Sequence, residues 1–340
     1  MERDAVNRKD ICRALVVLGD RIGAHVRRIL RDIPMEDRVQ VVGRHASDVT
    51  YALDREVEGL VIESVDAFAP QVGGITMVAE GIGEQEVTTY PESMQPDEAA
   101  VRLIVDPLDG TRGLMVAKRS AFFLAGVAPN RGESTRLSDL DAAVMVEIPT
   151  HRAFLRDALW AIKGEGMTGE TRNLLDGRTC PFSAKPSREI TIRGGFAQVS
   201  RFFPPGRDRL AALEEQLLQT LFPDAEPGEI LTFEDQYIST GGQLYELLTG
   251  KDRFTADLRA TLYREREREG KRVGHICHPY DLAGHLIGAE AGILVTDAQG
   301  QPLDAPLDTT HPCDWIGYAN QAIKDEVAPV LRGLIQEFLV

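Results

Sequence analysis

Several features that would narrow the role of this chain at once are missing. Positive charge is not in excess: 38 Lys and Arg stand against 53 Asp and Glu, a formal net charge of −15 over 340 residues. Non-specific binding of a nucleic acid polymer needs a basic face, so that class is disfavoured. A phosphorylated substrate is not excluded, because bound divalent cations can invert the local field. Cysteine is scarce: four residues, at 12, 180, 277 and 313, are widely scattered and form no CxxC pair. A reduced, cytoplasmic chain is the simplest reading. No apolar run approaches the length of a membrane span. The opening residues, MERDAVNRKD, hold no apolar h-region, so no secretory leader is expected. Internal repeats and long low-complexity tracts are absent.

What is present is globular in kind. Hydrophobic residues make up 43% and charged residues 27%, enough for a sizeable core in one large domain or two medium ones. Apolar residues at 11, 15, 18, 22, 26, 29 and 30 follow a helical period that Pro34 ends. The stretch 54–68 repeats the pattern. Short strands are expected at 75–79, 122–128, 142–148, 190–192 and 293–296, with a further pair within 153–162. The acidic stretch 84–98 reads as a solvated loop, and 164–189, rich in Gly, Thr, Arg and Pro, as a connector between halves. Further helices are expected at 207–221, 243–248, 281–291 and 323–339. Helices and strands interleave, so the class is mixed α and β. The division expected is an N-terminal part, 1–185, and a C-terminal part, 186–340.

The most informative segment is Leu103-Ile104-Val105-Asp106-Pro107-Leu108-Asp109-Gly110-Thr111. An apolar run, read as a buried strand, stops at two carboxylates three positions apart. Pro107 has no N–H to give, so regular pairing should end there. Gly110 permits a tight turn and a close approach to a ligand. Asp106 and Asp109 would thus enter one pocket, where they repel unless a proton or cation lies between them. All-oxygen ligands suit a hard cation such as Mg²⁺. Thr111 adds a hydroxyl, and the N–H groups after the turn could hold an anion. Three other carboxylates end or begin apolar elements: Asp54 before a helix, Glu80 after a strand, and Asp281 at a helix start.

These residues resemble the inositol monophosphatase superfamily of Mg²⁺-dependent, lithium-sensitive phosphomonoesterases. That superfamily includes fructose-bisphosphatase and 3′-phosphoadenosine 5′-phosphate phosphatase relatives. Asp106-Pro107-Leu108-Asp109-Gly110-Thr111 matches its central motif letter for letter. Tyr280-Asp281-Leu282-Ala283-Gly284, followed by Glu290-Ala291-Gly292 and Thr296-Asp297, matches its second signature. The likeness spans roughly residues 10 to 320. It implies an α+β fold, a layered αβαβα sandwich of the sugar phosphatase type. It further implies that Glu80, Asp106 and the carbonyl of Leu108 hold one Mg²⁺, and that Asp106, Asp109 and Asp281 hold a second. A third, weaker ion would sit near Glu80. Thr111 and Glu80 would position the attacking water, with Asp54 bonded to Thr111. Gly110 and Thr111 would hold phosphate oxygens through their N–H groups, and Arg112 and Asp257 would contact substrate. The implied partner is a small phosphorylated metabolite, with a homodimer as the family's common assembly. The implied reaction is hydrolysis of inositol 1-phosphate or a related polyol or sugar phosphate by a metal-activated water.

Departures from the family pattern point elsewhere in detail. Its Gly-Glu-Glu triplet is here Ala79-Glu80-Gly81, which weakens the case for the third ion. Tyr280 replaces the usual Trp. Arg112-Gly113-Leu114 stands where inositol phosphatases often carry Thr-Asn-Phe, and a basic residue there resembles the 3′-phosphoadenosine 5′-phosphate phosphatases. Residues 258–275 form an insertion near the expected substrate rim. The alternatives are therefore a 3′-phosphatase of such nucleotides, or a non-catalytic relative that binds a phosphometabolite. Taken singly, Asp106, Asp109, Asp54 and Asp281 could each be turn or helix caps, and Asp257 a surface carboxylate.

Overall fold

A computed structural model describes residues 7–39, 41–44, 49–83, 86–271 and 273–340, without the side chains of 41–44, 49–52, 54 and 265. The helices are α1 (Arg8–Asp32), α2 (Met35–Arg38), α3 (Ala52–Phe68), α4 (Thr111–Met115), α5 (Arg207–Leu221), α6 (Thr240–Leu248), α7 (Arg259–Arg268), α8 (His285–Ala291) and α9 (Gln321–Phe338). A short ribbon pairs β1 (Val41–Arg44) with β2 (Val49–Tyr51).

The main sheet has eight strands: β3 (Ile75–Ala79), β4 (Val87–Tyr90), β5 (Val101–Asp109), β6 (Ala121–Pro129), β7 (Ala142–Ile148), β8 (Leu155–Ile162), β9 (Gly166–Asn173) and β10 (Thr179–Pro181). They run in the order β10-β9-β8-β7-β6-β5-β3-β4, antiparallel except for the β3–β5 pair. A second sheet orders β11 (Phe196–Val199), β12 (Asp252–Asp257), β14 (Trp315–Tyr318) and β13 (Leu294–Thr296), with β11 and β12 parallel.

Five layers follow from where the apolar faces go. Along α1, Ile11, Leu15, Leu18, Ile22, Val26 and Leu30 are each at most 1% exposed, and with α3 they cover one face of the main sheet. Gly19 lets α1 lie close, since a Cβ there would come within 2.7 Å of Val146 on β7. The other face packs on α6 and α8 through Phe122, Leu124, Leu244 and Ile287. Those helices are sandwiched by the second sheet, whose outer face is closed by α5 and α9 through Leu213, Phe254, Tyr318 and Val327. The order is therefore helix, sheet, helix, sheet, helix, the αβαβα sandwich expected. Among the described residues no helix is long and apolar enough to cross a membrane.

Several local expectations are corrected. The stretch 164–189 is no mere connector: β9 and β10 extend the main sheet there. The acidic stretch 84–98 contains β4, paired with β3. Ile190–Ile192 form no strand. The 153–162 stretch supplies one strand, β8, not two. Strands β4, β9 and β10 are short or polar, and pairing to a neighbour decides their state more than their composition does. The helix expected over 281–291 begins only at His285; Asp281 sits in the turns before it.

Candidate metal and phosphate site

Side chains three apart on a regular strand point to opposite faces of its sheet. Strand β5 does not stop at Val105 but continues to Asp109 through an irregularity. Asp106 pairs with Leu124 and Asp109 with Phe122, so β5 carries one more residue than β6 between those pairs. That bulge, at Pro107 and Leu108, turns both carboxylates to one side. The Leu108 N–H donates to Asp106 Oδ1 at 3.0 Å, and the Thr111 hydroxyl donates to the Leu108 carbonyl at 2.8 Å. Gly110 closes the turn with φ +95°, a backbone that L side chains rarely adopt. A Cβ there would also press to 3.0 Å from Ser239.

Asp281 arrives from the turn before α8, where its Oδ2 accepts the His278 N–H at 2.7 Å. One oxygen from each of Asp106, Asp109 and Asp281 lies within 4.8 Å of the others, and all three residues are buried. Burial raises all three acids above the usual carboxylate range. Asp106 is raised further by Asp109, Glu80 and Asp281, and Asp281 by Asp109 and Glu80. Asp109 is pushed up to about 6, with hydrogen bonds holding it below the other two. Three desolvated carboxylates without an intervening positive charge are costly. Hard oxygen donors at this spacing fit a divalent cation such as Mg²⁺, and the Leu108 carbonyl keeps a second lone pair for one.

The acids form part of the wall of a cavity of about 560 Å³, together with Glu80, Gly110, Thr111 and Arg112. Glu80 follows β3, half-buried and outside the tight trio, and the Tyr280 hydroxyl is bonded to it. Arg112 lies over the Phe203 ring at 5.5 Å. Asp54 is in the first turn of α3, but its side chain lies outside the described residues.

Asp257 is placed differently from the expectation that it contacts substrate. It is 0% exposed, and Arg259 clamps it, with Nε to Oδ1 at 2.8 Å and Nη2 to Oδ2 at 2.5 Å. Arg259, not Asp257, faces the cavity; its remaining nitrogen donates to the His275 carbonyl, and Phe202 and Phe203 flank its plane. Truncating one partner of a buried pair strands the other. Asp257→Asn is therefore expected to cost about 3–5 kcal/mol in denaturant unfolding. A stable variant with only a raised KM would instead make Asp257 a substrate ligand.

Sequence reasoning also missed Ser239 and Gly241. Ser239 caps α6, its Oγ accepting the Gly242 N–H at 2.8 Å, while its own hydroxyl donates to Asp109 Oδ2 at 2.7 Å. The Gly241 N–H meets the same oxygen at 2.6 Å. The Ser239-Thr240-Gly241-Gly242 run is a legible helix start, but nothing in it names Asp109 as the group it holds. Ser239→Ala is expected to lose about 1 kcal/mol of stability with the cap and to weaken divalent-cation binding. Calorimetric titration beside thermal unfolding checks both.

A five-layered sandwich with an acidic trio at the mouth of a strand bulge defines a sugar-phosphatase type of fold. The solved structures it matches carry particular names. They include the Thermotoga maritima IMPase (17% identity, 98% of this chain and 99% of that one, TM-score 0.60). The inositol monophosphatase of Anabaena (Nostoc) matches at 14% identity, covering 98% and 97%, with a TM-score of 0.57. The Leishmania major fructose-1,6-bisphosphatase matches at 14% identity, covering 95% and 94%, with a TM-score of 0.62. The chain thus has the fold shared by inositol monophosphatases and fructose-1,6-bisphosphatases. No protein-family model matches the sequence, and no curated protein matches it significantly by sequence.

Proposed function

We propose that this protein is a divalent-cation-dependent phosphomonoesterase of the inositol monophosphatase superfamily, acting on a small polyol or sugar phosphate such as inositol 1-phosphate. The observation that carries the reading is the convergence of Asp106, Asp109 and Asp281 in a cavity that also holds Glu80 and the Gly110–Thr111 turn. Glu80, Asp106 and the Leu108 carbonyl would hold one Mg²⁺, and Asp106, Asp109 and Asp281 a second. Such ions supply Lewis acidity, a lowered water pKa and charge to offset the phosphoryl oxygens. The chain's own groups do the rest. Glu80 and the Thr111 hydroxyl orient the attacking water. The N–H groups of Gly110 and Thr111 hold phosphate oxygens, and Arg112 steadies the substrate. Preorganised donors of this kind carry most of the catalysis in phosphoryl transfer.

The test is phosphate release from a panel of monoesters with and without Mg²⁺, followed by a lithium titration. Mg²⁺-stimulated turnover that millimolar lithium inhibits supports the reading. Tight ligand binding without turnover would favour a non-catalytic phosphometabolite binder.

The rim favours one second reading, a 3′-phosphonucleotide such as 3′-phosphoadenosine 5′-phosphate. Arg112, Arg259 and Lys271 place basic groups in the cavity wall, the last two paired with Asp257 and Glu269, and Phe202 and Phe203 bring flat apolar surface. The segment expected as an insertion supplies part of this wall, from α7 and the residues after it. Arg112→Ala is expected to raise KM about tenfold for a substrate with a second phosphate and less for inositol 1-phosphate, the scale of one charge-assisted contact. Equal effects on both would remove the nucleotide reading.

A further inference from the structure

A second cavity, of about 660 Å³, lies between α1 and the β7–β9 side of the main sheet. It shares no lining residue with the carboxylate site. Five arginines line it, at 27, 28, 31, 156 and 172, against two acids, Asp20 and Glu147. Two further acids reach these arginines from outside the wall, Glu170 to Arg156 and Asp32 to Arg31, which leaves one arginine in excess in a chain of net charge −15.

The two acids are already engaged. Asp20 is shared by Arg156 and Arg172. Glu147 accepts the Ser120 hydroxyl at 2.7 Å and the Asp157 N–H at 3.2 Å. Arg31 is neutralised by Asp32. Among the described residues Arg27 has no carboxylate contact, and Arg28 meets only the field of Asp32, which Arg31 already binds. Arg27 is instead pinned by donating to the carbonyls of Thr150 (2.9 Å) and Ala153 (2.7 Å), and Arg28 bonds the His25 ring at 3.0 Å. Arg156 is 2% exposed, and its Nε has no hydrogen-bond partner. At the rim, His151 is held below its ordinary pKa by slight burial and by Arg38, Arg152 and Arg27, with no carboxylate to offset them. Leu174 and Leu175 complete the wall, and Leu175 is 78% exposed.

We propose that this arginine-lined cavity is a second ligand site, which takes a small phosphorylated metabolite carrying an apolar group. Pinned guanidinium forks suit phosphate oxygens, to which they donate in pairs. The cavity has the size of ordinary small-molecule sites, and Leu174 and Leu175 offer the apolar part a surface. The site stands whether or not the carboxylate centre hydrolyses phosphate.

Inorganic pyrophosphate, titrated calorimetrically into the full chain at about 0.15 M salt with EDTA, isolates it, because the metal-free carboxylate cage repels the anion. The expected result is saturable binding of one pyrophosphate per chain, with the His151 ring resonances moving on binding. Arg28→Gln, an exposed substitution, should weaken that binding about tenfold, and Arg27→Gln at least as much, while Asp106→Asn should leave it unchanged. Absence of saturable binding overturns the proposal, as does binding that neither arginine variant alters. Sedimentation showing a dimer that Arg28→Gln dissociates would assign the face to a second copy of the chain and overturn it as well.

Discussion

Asp106→Asn is expected to remove phosphate release by about a thousandfold or more, the upper scale for losing one charge-stabilising group at a transition state, while the metal-free protein becomes more stable. The two effects share one cause. Asp106 is the carboxylate proposed to serve both cations, so no other side chain can replace its charge. Without cations, that charge is buried beside Asp109, Asp281 and Glu80, all of which raise its pKa after burial itself. Asparagine keeps an acceptor for the Leu108 N–H, so the bulge survives, while one of the mutually repelling charges disappears. The melting temperature of the chelated variant should rise by a few degrees, as about 1 kcal/mol does for a chain of this size. A residue that merely capped a turn would behave oppositely, losing stability and leaving turnover intact. Steady-state kinetics with thermal unfolding in EDTA separates the two.

The second large effect is on the pH dependence of stability. Asp109 is raised to about 6 in the fold, and Asp106 and Asp281 are also raised. A carboxylate with a raised folded pKa binds its proton more tightly in the native state than in the unfolded chain. Its contribution to stability is therefore full below the unfolded value near 4 and is lost as pH rises through the folded value. Chelated protein should lose melting temperature from about pH 5 to pH 7 because of these groups. Divalent cations bind the ionised form, so Mg²⁺ at a hundred times its dissociation constant should restore about 2.7 kcal/mol above pH 7 and little at pH 5. Paired melting curves with EDTA and with Mg²⁺ check this. Superimposable curves at every pH would mean that the trio holds no cation.

How far the sequence reveals this site depends on which forces act locally. Asp106, Asp109, Gly110 and Thr111 stand together in one stretch, and Pro107 marks where regular pairing breaks, but the bulge that carries β5 on to Asp109 is seen only in the pairing with β6. Asp281 is legible only through its own signature, and its setting in turns, not a helix, is fixed by the His278 N–H that it accepts. The layering was implied only by the family resemblance; what the residues of α1 show is an apolar period that makes a helix. Strands β4, β9 and β10 were not readable, because most of their side chains are half-buried or exposed and only a neighbouring strand settles them. Arg259 was hidden behind Asp257: the pairing is local in sequence, yet which of the two faces the cavity depends on Phe202, Phe203 and the His275 carbonyl arriving from elsewhere. The second cavity shows the same limit. Arg27 and Arg28 look like solvated helix charges until α1 is laid beside β8 and β9.

The most direct test of the cage is anomalous diffraction from crystals soaked in Mn²⁺ with phosphate. The account expects two metal peaks bridged by Asp106, with Asp109 and Asp281 on one, Glu80 and the Leu108 carbonyl on the other, and phosphate against the Gly110–Thr111 turn. Crystals saturated with Mn²⁺ that show no peak between these oxygens, or show it bound only at surface carboxylates, would contradict it.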